Sequence, residues 1–253
     1  MSLDSGLIVT FLSAFARCTA MLLSSPLFGT NVPVKVRVQF SLVISMALVP
    51  VLREHVGAVP QDLIGLVLMV GRDVVIGLII GGMIQLLMAG IQMAGAFLDI
   101  QIGIGMAQIF SPLLGITSSP ISQFKFLLGL VILLLINGHH FMFQAFVHSY
   151  EMAGPSLMRL GEMQTTLISF MGQVMLMAMQ IAAPVAAVSV IIDVAAGLIN
   201  KGVPQTQPFL LALPVKLMVG LLALSVGLPA LVVATEAGLG FTISHMSKML
   251  GGP

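Results

Sequence analysis

Long apolar runs separated by short polar, proline- or glycine-bearing breaks run through the whole chain, and this punctuation predicts about six helices. The first is Leu7 to Leu23, with Arg17 midway. Pro26, Gly29, Asn31 and Pro33 make a turn, followed by Lys35 and Arg37. A shorter helix, Phe40 to Val49, is confined between Arg37 and Arg53, with Pro50 near its end, and is marginal for a membrane span. After a polar connection from Arg53 to Asp62 comes a long helix, Leu63 to Leu98. Ser118, Ser119 and Pro120 prepare a fourth, Ile121 to Phe146, with Lys125 near its start and Asn137-Gly-His-His140 inside it. A polar connection, Tyr150 to Glu162, leads to the fifth, about Thr165 to Asn200, with a kink expected at Pro184. Lys201, Gly202 and Pro204 turn the chain into the sixth, about Gln207 to Thr235, and a short amphiphilic tail closes it.

One stretch breaks this pattern. From Gly95 to Pro112 the chain stays apolar, yet Asp99 interrupts it, Gly103 and Gly105 loosen the backbone, and Pro112 ends any helix. An exposed loop would be polar, and irregular backbone cannot face lipid with its polar groups unpaired. The segment is therefore expected to be buried in protein or to line a cavity. On the helix before it, Gly77 and Gly81 have the four-residue spacing of small residues that lets helices approach closely. Gln85, Gln92 and Asp99 recur every seven residues and fall in one stripe. That stripe reads as a buried polar seam between helices or as the wall of a wet path.

Composition raises the stakes of the pattern. Of 253 residues, 58% are hydrophobic and 8% charged, against about 25% charged in an average soluble domain. Windows such as Val74 to Leu98, Phe126 to Tyr150 and Met163 to Ile192 carry no charge. A 25-residue helix is roughly 37 Å long, more than the ~30 Å hydrocarbon layer needs. The reading is an all-α, polytopic membrane-type protein of helical hairpins, a single domain over residues 1–253. A net charge of +1 leaves no footprint for nucleic acid. The first sixteen residues hold no Lys or Arg, so the start reads as the first helix, not a cleavable signal. Lys and Arg are nearly balanced between the two sets of connections and give no orientation.

Chemistry-bearing motifs are scarce. Cys18 stands alone, which leaves no internal disulfide and no zinc site, and it reads as a small buried residue. His139 and His140 point about 100° apart on a helix, with no carboxylate within four residues, so they read as packing histidines. Met171, Met175, Met177 and Met179 crowd the fifth helix as flexible filler. No phosphate loop, dinucleotide fingerprint, paired metal-ligand motif or nucleophile elbow is present. No catalysis, cofactor or metal is expected. The charges inside apolar helices, Arg17, Asp99, Lys125, Asp193, Lys216 and Glu236, need partners or water. For Asp193 the expected partner is a basic residue such as Lys201, or one on another chain; the alternative is a proton relay or transporter site.

Several stretches resemble the FliR/SctT family of type III export-gate subunits. They are Arg17-Cys-Thr-Ala-Met-Leu-Leu-Ser-Ser-Pro26, Val32-Pro33 with Lys35-Val-Arg37, Gly77-Leu-Ile-Ile-Gly81, and the Gly95 to Pro112 stretch. Asn137-Gly-His139, Ala183-Pro-Val185, Gly197-Leu-Ile-Asn200 and Pro204-Gln205 complete the pattern, which spans essentially the whole chain. The resemblance favours the flagellar over the virulence branch.

It implies a non-catalytic subunit that joins P- and Q-type partners (FliP, FliQ) in a conical gate of the flagellar basal body. That gate sits in the bacterial inner membrane and works with the export proteins FlhA and FlhB to pass unfolded flagellar substrates. It further implies that Gly103, Ile104, Gly105, Met106, Ala107, Gln108, Ile109, Phe110, Ser111 and Pro112 form a plug that closes the pore. The apolar members suit a dewetting constriction and the glycines supply the freedom to swing away. The competing reading is an ion-coupled small-solute transporter using Asp99 or Asp193.

Overall fold

The computed structural model describes residues 5–28, 32–52, 62–105, 119–152, 160–203 and 208–249. Its helices are α1 (Ser5–Ser24), α2 (Val34–Leu52), α3 (Leu63–Ile102), α4 (Pro120–Leu135), α5 (Gly138–Met152), α6 (Leu160–Gly202), α7 (Pro208–Val226) and α8 (Leu228–Met249), with a short 3₁₀ turn at Pro26–Phe28. No strand occurs among the described residues. The fold is all-α and polytopic: four helices are long and apolar enough to cross a membrane, or up to six counting two bent pairs as one span each.

The helix boundaries differ from the sequence expectation in several places. The third helix runs on through Asp99 to Ile102 instead of ending at Leu98, and α6 begins at Leu160, inside the expected polar connection. The short second helix begins earlier, at Val34, and takes Lys35 and Arg37 into its first turns, where Arg37 Nε donates to Val32 O at 3.0 Å. The expected fourth helix is two, α4 and α5, broken where Asn137 takes a left-handed φ of 58°. Asn tolerates that conformation and Gly138 follows it, a helix-stop pairing. The expected sixth helix also breaks, at Gly227, with α7 and α8 bent by 52°. Pro229 is the second residue of α8, where its missing N–H costs nothing. The expected amphiphilic tail is the continuation of α8 to Met249.

Contacts divide the chain into two compact units. Unit 1 comprises residues 1–87, 134–171 and 239–253, and its described core is built from α1, α2, the first part of α3, α5 and the ends of α6 and α8. Fully buried Met21, Leu22, Leu52, Ile80, Met83, Phe146 and Phe170 fill it. Gly77 and Gly81 let α3 lie against the backbone of α1: a methyl on Gly77 would strike Arg17 O, and one on Gly81 would strike Met21 O and Ser24 Oγ. Unit 2 comprises residues 88–133 and 172–238, with the second part of α3, α4, most of α6, α7 and the start of α8. Here Gly95 seats the backbone of Ser122, and Gly220 seats the side chain of Ile102.

The rest of the apolar surface stays open in the single chain. On α2, Val36, Phe40, Val43, Met46 and Val51 are exposed; on α6, Ile168, Met171, Met175, Leu176 and Met179 are. So much exposed apolar surface is untenable in water and implies lipid or further subunits around it.

Candidate functional site

At the start of the central segment singled out by the sequence stands Asp99, in the last turn of α3. Asp99 is 1% exposed. Its carboxylate accepts the hydroxyl of Ser119, the backbone N–H of Ile121 at 3.3 Å and that of Ser122 at 3.1 Å. The first turn of a helix has N–H groups with no internal acceptor, and an anion there is favoured by the helix dipole. Asp99 thus caps α4 from a distance, and Pro120 occupies the first helical position, where no N–H is needed. Ser122 Oγ donates back to Gln92 O at 2.9 Å, tying the same turn of α4 to α3 a second time.

The other end of the segment returns to the same place. After Ile102, Gly103 turns with φ 94°, its N–H donating to Ile100 O at 3.2 Å. An L side chain rarely adopts that φ. Gly105 then lies back against α3: a methyl placed on it would sit 3.4 Å from both Asp99 O and Ile100 Cα. So residue 105 and residue 119 both rest on Asp99, one on its carbonyl and one on its carboxylate. Gly103, Ile104 and Gly105 are half-buried. Of the expected plug, Met106, Ala107, Gln108, Ile109, Phe110, Ser111 and Pro112 lie outside the described residues.

The stripe of polar residues on α3 is not a buried seam in this chain. Asp99 is buried, but Gln85 and Gln92 open onto the surface. Their two turns of α3 also carry Met83, Ile84, Leu87, Met88 and Ile91, all buried, which claim the interior. The stripe drifts around the helix, and only its last member reaches the packed side.

Asp193 also departs from expectation. Its partner is Lys216 of α7, at 2.5 Å, not Lys201, which is exposed in the last turn of α6. Eight residues along a helix separate Asp193 from Lys201 by about 12 Å, too far for a direct pair. Lys216 instead projects from the neighbouring helix and also donates to Gln101 O at 3.3 Å.

A second polar cluster lies within unit 1. Arg17 pairs with Asp73, and its other terminal nitrogen donates to Ser149 Oγ at 2.6 Å. Ser13 Oγ donates to Asp73 Oδ2 at 2.5 Å and lies 3.3 Å from Tyr150 Oη. The guanidinium carbon stands 3.5 Å from the Tyr150 ring centroid, a cation–π contact between buried side chains. Only Arg17 Nε is left without a hydrogen bond in this group. Three helices, α1, α3 and α5, are therefore locked by one charge pair. Sequence reading marked Arg17 but missed Asp73, Ser13, Ser149 and Tyr150, because Asp73 follows Arg72 and nothing local says which distant helix it faces.

None of these clusters is arranged for covalent chemistry. Among the described residues no three His, Cys, Asp or Glu side chains come together as a metal site. The rings of His139 and His140 lie side by side, tilted by 41° with centroids 4.3 Å apart.

Comparison with known proteins identifies the family of the chain. Residues 8–241 match the family described as "Bacterial export proteins, family 1". The flagellar biosynthetic protein FliR of Caulobacter vibrioides is 30% identical over 216 residues, covering 85% of this chain and 86% of that protein. FliR of Bacillus subtilis is 26% identical over 245 residues, 95% of this chain and 94% of its own length. FliR of Escherichia coli is 23% identical over 217 residues, covering 84% and 82%. With a family match over most of its length and relatives that align nearly end to end, the chain belongs to the bacterial export proteins of family 1, the FliR family.

Proposed function

We propose that the chain is a non-catalytic subunit of the flagellar type III protein export gate of the bacterial inner membrane. It forms the channel with P- and Q-type subunits (FliP, FliQ), next to the export proteins FlhA and FlhB. Its central segment, about residues 103–112, is the plug that closes the pore to unfolded flagellar substrates. The observation that carries this is at Asp99: Ser119 donates to its buried carboxylate, and Gly105 lies close enough that a methyl on it would sit 3.4 Å from the Asp99 carbonyl oxygen. A loop held at one point can change its path without unfolding the helices that bear it, because the ordering of its ends is already in place.

Two further features support the reading. Helices α3 and α6 have 40 and 43 residues. At 1.5 Å per residue each is about 60 Å long, roughly twice the hydrocarbon thickness, as expected of a subunit that extends out of the bilayer into a larger assembly. The exposed apolar faces of α2 and α6 give partner subunits a surface to cover. The transporter alternative draws less support, since Asp99 is committed to three donors and Asp193 to Lys216.

The test is to delete Gly105 to Ser111 and purify the chain with its P- and Q-type partners. The proposal expects the complex to assemble and, once in a membrane, to leak ions or small solutes. Unchanged permeability in a correctly assembled complex removes the plug assignment, and failure of the intact chain to co-purify with such partners removes the gate assignment.

A further inference from the structure

Lys125 of α4 is a buried cation, 4% exposed, and among the described residues its ammonium makes no hydrogen bond and no ion pair. It stands in the middle of the face that α4 turns to α3. Ser122, three residues before it, seats against Gly95 and donates to Gln92 O. Gly129, four residues after it, takes the side chains of Ile91 and Met88. The acids of unit 2 do not serve it. Asp99 is taken up by Ser119 and the first N–H groups of α4, Asp193 by Lys216, and Glu236 is exposed on α8. An ammonium kept from water without a counter-charge is costly, and within apolar helices it marks a place where a partner meets it.

The same construction occurs twice along the chain, and the second copy shows what this position takes. A long helix closes with Asp-x-x-x-Gly: Asp99 and Gly103 at the end of α3, Asp193 and Gly197 towards the end of α6. The next apolar helix carries Lys-x-x-x-Gly-Leu, Lys125 to Leu130 on α4 and Lys216 to Leu221 on α7. Each of these helices ends ten residues after its lysine, at Leu135 and at Val226. Both glycines receive an isoleucine of α3, Ile91 at Gly129 and Ile102 at Gly220. In the second copy the lysine holds the carboxylate of Asp193 at 2.5 Å. In the first, the matching acid, Asp99, caps α4 instead, and the lysine has the setting without the acid.

We propose that Lys125 is the docking point for a carboxylate on an apolar helix of a neighbouring subunit, which supplies what Asp193 supplies to Lys216. The inference rests on the reading of the chain as a subunit of the export gate. The edge of the α3–α4 seam is open, since Gln92 is bonded into it through its carbonyl yet has its side chain exposed. A lysine stem carries its ammonium to such an edge. The surface on either side is apolar, with Phe97 and Ile100 of α3 and Phe124 and Leu127 of α4 exposed, which suits a helix bearing one acid and not a hydrated anion. A pair closed there is desolvated, so it selects the partner and its register more than it adds affinity.

The test compares Lys125→Met in two settings. In the purified full chain the substitution removes an unpaired buried charge and keeps the apolar stem, so the thermal midpoint should hold or rise. In the complex with P- and Q-type subunits it strands the partner's carboxylate, and association should weaken about tenfold or more, read from dissociation on dilution. Lys125→Arg should keep the complex. A lipid-soluble carbodiimide applied to the native complex should join Lys125 to an Asp or Glu of a neighbouring subunit, the amide being located by mass spectrometry. A lower midpoint in the chain alone means that Lys125 is served from within the chain, and overturns the proposal. Native association of Lys125→Met overturns it too, while the gate reading stands. An anionic phospholipid that leaves the Lys125→Met complex with every subunit still bound puts a lipid phosphate in place of the carboxylate and overturns it equally. If the intact chain binds no P- or Q-type subunit, the gate reading falls, and with it the neighbour proposed for Lys125.

Discussion

Arg17 of α1 and Asp73 of α3 form an ion pair from which solvent is wholly excluded, neither side chain having exposed surface. In such a site the partners are not worth much together, because both lost their hydration, but each is expensive to leave alone. Ser13, Ser149 and Tyr150 complete the shell, so removing one member strands several polar atoms at once.

Arg17→Ala and Asp73→Ala are each expected to destabilise the chain by about 3–5 kcal/mol. Replacing both with apolar residues of similar volume should recover a large part of that loss, because no buried charge then lacks its counterpart. Thermal unfolding of the purified protein in detergent, run as a double-mutant cycle, measures it. Additive losses in the double variant would mean the two side chains do not act as a pair.

The glycines on α3 make a sharper comparison. Gly81→Ala places a methyl against the carbonyl of Met21 and should force α1 away, at a cost of about 1–3 kcal/mol. At Gly82, one position along, a methyl meets nothing within 4 Å, and alanine there should stabilise by up to about 1 kcal/mol through helix propensity. Unfolding midpoints of the two variants should move in opposite directions. The same direction for both would refute the close approach of α1 and α3.

How far the sequence reveals these arrangements depends on the range of the interaction involved. The long apolar helices and the closely spaced Gly77 and Gly81 are local patterns, written in spacing alone. The breaks at Asn137 and Gly227 were also written locally, as Asn-Gly and Gly-x-Pro, but they sit inside runs so apolar that hydrophobicity alone continues the helix through them. The partners of buried charges are a different matter. Asp73 is 56 residues from Arg17, and Lys216 reaches Asp193 from the next helix. Which helix faces which is a product of packing, so proximity in sequence pointed to Lys201 and was misleading. Gln85 and Gln92 carry the same lesson in reverse: a seven-residue repeat places three residues in a stripe, but the interior claims only the one beside α4.

Asp99 joins the local and the distant, and it yields the prediction that separates structure from transport. Asp99→Ala removes the acceptor for Ser119, Ile121 and Ser122 together, and should cost about 1–2 kcal/mol, the worth of a strong helix cap. The loss should be local, with the amides of Ile121 and Ser122 exchanging on the order of tenfold faster while those of α1 keep their rates. Ser119→Ala takes away one donor and leaves the carboxylate on the two backbone N–H groups, so its effect should be the smaller. Asp99→Asn keeps an oxygen that can accept but gives up the charge facing the dipole of α4, and should fall between them. A carboxylate that couples an ion to a solute would behave differently. Its asparagine variant would abolish uptake by the purified chain while leaving the amides of α4 protected. The cap reading requires the reverse: deprotected amides at the start of α4, and no uptake to lose.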